Sequence, residues 1–166
     1  MMIRGLRALV ILPLAVATMG FQVQTETLPG NGQPGSERFA QSKLPRSDDP
    51  FWSDLAACKV SYDNKTGLYA ISLTAKIKAL NGKVAKAKGF ILPVDGIDET
   101  KHFLLTLHTP VCFYCPPGEP NEVIEVVAKR PIPWNDALVT IKGRFELVND
   151  GEAGLFFRMI DAEKIN

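Results

Sequence analysis

Cys112 and Cys115 stand two residues apart in the stretch HTPVCFYCPPGEP, with His108 four residues before the first of them. That spacing lets both sulfurs face one centre, which thiolate metal sites and dithiol redox motifs both require. Two thiolates suit Zn²⁺ or Cu⁺. His108 can turn back toward the pair as a third ligand, and water, Glu119 or Cys58 could supply a fourth. An open position suits transfer better than a closed structural zinc. A metal reading therefore names Cys112, Cys115 and His108. It leaves out His102, because six residues of straight strand separate it from His108 by roughly 20 Å.

The same spacing admits a different chemistry. A dithiol on a loop can exchange disulfides when one thiol titrates low. Thioredoxin-type motifs place the first cysteine at a helix N-terminus, and the CPPGEP that follows here opposes a helix. A Cys112–Cys115 disulfide could also simply stiffen the loop, with modest stabilisation because the ring is small. Cys58, the third cysteine, reads as a small buried residue. Metal centre and thiol–disulfide or disulfide-stabilised interaction module both stay open. No G-x-S-x-G, phosphate-binding glycine loop or H-E-x-x-H occurs, and no acid pair suggests general acid–base work. The expectation is a protein that is not an enzyme, with no catalytic residues.

Compartment bears on which chemistry is permitted. Residues 1–20 combine Arg4 and Arg7, an apolar run from Ala8 to Ala17, and small residues at its end. These are the marks of a secretory signal peptide, and the run is short of the roughly 20 residues a membrane span needs. Cleavage would leave no stable membrane anchor. It would take the 19 basic side chains to 17, against 18 acidic ones. A near-neutral exported chain is a poor partner for nucleic acid, and a periplasmic location permits disulfides.

The elements that must position the loop are mostly strands. Residues 21–49, rich in Gly, Pro and Ser, read as a flexible linker, and residues 50–166 as one domain. Asp49 and Pro50 predict the start of a short helix to Ala57. Strands are expected over Leu68–Ile77, Lys83–Gly96, His102–His108, Glu122–Lys129, Ala137–Val148 and Leu155–Ile165. Arg130–Asp136 reads as a turn. Gly89, central in its strand, predicts a sharp bend. The fold class expected is mainly β: a small five- to six-stranded OB-like barrel with a short N-terminal helix.

GFILPVDG, then HFLLT, then PVCFYCPPGEPNEVIEV resemble a family of small exported bacterial proteins catalogued as a domain of unknown function. The resemblance runs from about Trp52 to Ile165 and is tightest over Gly89–Val126. Some members are encoded beside ABC-type permeases in zinc-responsive gene groups. The resemblance therefore implies a periplasmic accessory protein that handles a metal for a transport system, with an ABC-type transporter or another periplasmic protein as partner. It carries over to Cys112 and Cys115. It does not reach His108, and where the family loop often has a second glycine this chain has Glu119.

Overall fold

The computed structural model describes Phe39, Gln41 and residues 43–95, 98–111 and 118–165. The expected signal peptide, most of the linker, and Cys112 and Cys115 lie outside the described residues. The elements in chain order are α1 (Phe51–Ala56), β1 (Lys59–Asp63), β2 (Leu68–Ser72), α2 (Ala75–Lys78), β3 (Val84–Pro93), β4 (Glu99–Thr106), a 3₁₀ turn (Pro120–Glu122), β5 (Val123–Pro133), β6 (Val139–Asp150) and β7 (Leu155–Ile165). The chain is mainly β. Five strands form one sheet in the order β3-β4-β5-β7-β6, and β6 pairs back onto β3, so the ring of pairings closes. β5 and β7 run parallel, and the other neighbours are antiparallel.

Alternation makes this core. Ala87, Phe103, Leu105, Ile124, Val126, Ile141, Phe145 and Met159 are buried inside the closed sheet, while Lys86, Lys101 and Arg144 stand exposed on its outside. Each fully buried Leu, Ile or Phe contributes on the order of 2 kcal/mol from apolar area removed from water. β3 serves two neighbours. Val84–Gly89 pair with β6, and Phe90–Pro93 pair with β4. The handover falls at Gly89, where the bend was expected. A Cβ there would sit 2.7 Å from the Thr106 carbonyl oxygen and 2.9 Å from Leu105 Cγ.

Helix α1 covers the core beside that corner. Trp52 and Leu55 are buried, the Trp52 indole N–H donates to the Lys88 carbonyl at 2.7 Å, and Phe51 meets Phe145 edge to face at 5.7 Å. Asp49 fastens both elements. One carboxylate oxygen accepts from the Phe51 N–H at 2.9 Å and the other from the Lys88 N–H at 2.7 Å. The end of the expected linker is also tied down: Ser47 is buried, its hydroxyl donating to the Lys88 carbonyl at 2.6 Å.

Three local readings need correction. Leu68–Ile77 is not one strand: β2 stops at Ser72, and Leu73, Ile77 and Leu80 follow a helical period, with the Thr74 hydroxyl capping α2 by accepting from the Ile77 N–H. The early strand does not join the closed sheet. It pairs with β1 in a separate hairpin, Tyr62 opposite Tyr69. Arg130–Pro133 is not a turn but the end of β5, with Pro133 opposite Glu99.

Candidate functional site

His108 sits just beyond the end of β4, where the chain leaves the closed sheet toward the cysteines. Backbone bonds hold it from both sides. The segment before α1 bridges to it, Arg46 opposite His108, with the Ser47 N–H donating to the Leu107 carbonyl at 2.9 Å and the Thr109 N–H to the Pro45 carbonyl at 3.3 Å. On the other side the Leu107 N–H donates to the Glu122 carbonyl at 3.1 Å. The Thr106 hydroxyl donates to the His108 carbonyl at 2.7 Å. The imidazole, with its side chain 19% exposed, presents Nε2 to Glu122 Oε1 at 3.5 Å. That contact is an ion pair whenever the ring is protonated.

Glu122 belongs to the turn by which the chain re-enters the sheet. Its other oxygen accepts from the Glu119 N–H at 2.9 Å, and the Glu119 carboxylate accepts from the Glu122 N–H in return, a reciprocal capping box with Pro120 at the first position. This fixes the Glu122 carboxylate before any ligand arrives. Glu119, considered as a fourth ligand, is occupied as a cap. Its charge also helps burial to push the Tyr69 phenol above its ordinary range, with Tyr62 adding a smaller push. Asn121 of the same turn donates to the Cys58 carbonyl at 3.0 Å. Cys58 is a free, buried thiol, 1% exposed, in keeping with a small residue that fills space in the core.

A family of proteins of unknown function, DUF3299, matches residues 39–155. The chain belongs to that family. A crystal structure of a DUF3299 protein from Pseudomonas aeruginosa PAO1 is 20% identical, covering 75% of this chain and 84% of that one, with a TM-score of 0.48. None of the curated proteins matches the chain. The DUF3299 match spans His108, both loop cysteines and Glu122.

Of the three residues expected at a metal centre, His108 is at the root of the loop, while Cys112 and Cys115 lie outside the described residues. Among the described residues no group of three or more His, Cys, Asp or Glu could hold a metal ion. Sequence reading missed Glu122 as the partner of His108. The signal for it was present, since Glu-Pro-Asn-Glu has the spacing of a capping box, which would have put a carboxylate at the loop's return. His102 is elsewhere, as expected, and has its own carboxylate: Nε2 lies 2.8 Å from Glu125 Oε1, and Arg158 Nε donates to Glu125 Oε2 at 2.6 Å.

Proposed function

We propose that this DUF3299 protein is an exported, periplasmic accessory protein that binds zinc or copper through Cys112, Cys115 and His108 and serves a transport system. The closed sheet is read as an OB-like barrel, a scaffold that presents the cysteine loop at one end. The observation that carries the reading is the His108–Glu122 contact. Metal-binding imidazoles are commonly oriented by a carboxylate on the other ring nitrogen, which fixes the tautomer and raises ligand basicity. Here that carboxylate is itself held by the turn. Cys112 lies four residues after His108, and Gly118 lies four before Glu122, so the loop starts and ends beside the pair. The apolar stretch after Arg4 and Arg7 supports export.

The test is to purify the protein from the periplasm of an expressing bacterium without added metal, then measure bound metal by mass spectrometry alongside free thiols. About one equivalent of zinc or copper is expected, lost on Cys112→Ser or Cys115→Ser. Glu122→Gln keeps the cap, because glutamine serves a capping box, and should weaken metal affinity roughly 10- to 100-fold. A metal-free protein with Cys112 and Cys115 joined, unable to take metal after reduction, would overturn the reading in favour of a disulfide-stabilised interaction module. Recovery of the protein only from the cytosol would overturn export.

A further inference from the structure

Charge collects on the part of the closed sheet farthest along β5 from the cysteine loop. β5 begins at Val123 beside the Glu122 turn, and Lys129–Pro133 form its distant end. Between Val127 and Ile132 the register on β4 jumps, since those residues face His102 and Thr100. The excess length of β5 leaves Lys129 and Arg130 exposed. Two concavities adjoin there, of about 470 and 310 Å³, and share Lys129 and Glu163 as walls. Sites of this size hold small molecules, typically in about 300–1,000 Å³.

Five cations line the pair of concavities: Lys129, Arg130, Lys142, Arg144 and Lys164, against two acids, Asp161 and Glu163. Arg144 is engaged by Glu146 at 2.7 Å and Asp161 at 3.3 Å. The other four cations have no ion-pair partner among the described residues. Lys142 stands between Lys86 on β3 and Glu163 on β7, one like and one opposite charge across the strands. Val84, 65% exposed, and the exposed Pro131 and Pro133 add apolar wall. The chain as a whole is nearly balanced at a formal +1, so this clustering is local.

We propose that the groove is a binding site for a phosphate-bearing ligand of two or more negative charges, held by Lys129, Arg130, Lys142 and Lys164. Cations contributed by three strands around one groove match several anionic oxygens rather than a single carboxylate. Arg130 brings a planar fork that suits phosphate, and the lysines bring point charges. The ligand is either a soluble phosphate compound or the headgroup of an anionic lipid. The site is independent of the metal reading.

The test titrates the purified chain with pyrophosphate by calorimetry, and separately with phosphatidylglycerol-containing vesicles by co-sedimentation. Binding to pyrophosphate assigns a soluble ligand; binding to vesicles alone assigns a lipid headgroup. Reversing two charges with Lys129→Glu and Arg130→Glu together should weaken whichever binding occurs at least about tenfold, and added salt should weaken it too. Glu163→Gln removes a repelling acid and should strengthen binding about threefold. Lys65→Gln, in the distant β1–β2 turn, should change nothing. All four substituted residues are exposed, so thermal unfolding should stay close to that of the unaltered chain. Absence of binding to both probes, or equal binding by the double charge reversal, would overturn the proposal.

Discussion

Glu125 is an acid that strand alternation would place in water. Ile124 and Val126 on either side are fully buried in the core, so alternation turns Glu125 to the outer face of the sheet. It is nevertheless only 8% exposed. Its two oxygens are divided between His102 at 2.8 Å and Arg158 at 2.6 Å, one from each flanking strand. Both partners keep part of their surface in water, with side chains 41% and 37% exposed, so removing the acid would not strand a buried cation. The cost is that of weakened charge-assisted hydrogen bonds. Glu125→Gln should destabilise the fold by about 1–2 kcal/mol, read as a lower urea midpoint with an unchanged slope. Each histidine of the chain thus faces a glutamate, and neither pairing is visible in linear order. His102 meets Glu125 only because β4 and β5 run antiparallel in that register, and His108 meets Glu122 only because the loop closes.

At the scale of elements, Gly89 shows what a single residue lets a strand do. β3 changes partners there, and the Thr106 backbone, the Leu105 side chain and the Trp52 ring crowd the space a Cβ would take. Gly89→Ala should cost about 2–3 kcal/mol, because the nearest obstacle is backbone and cannot rotate away. Thermal unfolding would show the loss. This bend was legible in sequence because a glycine in mid-strand has no side chain to pack, and so marks a bulge, a bend or a close backbone approach. β7 was legible too: Leu155–Ile165 matches its expected span, since a hairpin turn precedes a run dense in strand formers. The β1–β2 hairpin was half missed. Most of its residues are exposed, so no core-facing alternation marks β1. The end of β5 was misread because Pro131 and Pro133 signal turns. The irregular pairing near Thr100 lets a strand without those N–H donors persist. Ile77 differs for the opposite reason: it belongs to a short helix, and the cap that starts it is the single hydroxyl of Thr74.

Over the whole molecule, the response to pH is set by groups far apart in the fold. The Thr100 hydroxyl holds the Asp95 carboxyl below the usual aspartate range, and the Lys101 and His102 N–H groups help against a partial desolvation penalty. Asp48 is lowered chiefly by its bond to Lys88, and Asp63 by the Lys65 N–H. A carboxyl with a depressed pKa in the fold contributes stability above its unfolded value, near 3.9, and loses it as pH falls through the lower folded value. Tyr69 acts in the other direction. Burial, with the charges of Glu119 and Tyr62 behind it, raises its phenol. Its contribution is present below the unfolded value near 10 and fades as pH rises through the higher folded one. For these four groups, stability should be level between about pH 5 and 9 and fall on both sides. Urea unfolding measured from acid to alkaline pH would separate the limbs. Asp95→Asn should flatten the decline below about pH 4 and leave the alkaline limb alone. Tyr69→Phe, which keeps the ring beside Gly154, should flatten the decline above about pH 10 and leave the acid limb alone. An acid limb unchanged by Asp95→Asn would mean that its bonds to Thr100 and the β4 backbone do not distinguish the folded from the unfolded chain. The β3–β4 connection would then draw its stability from packing.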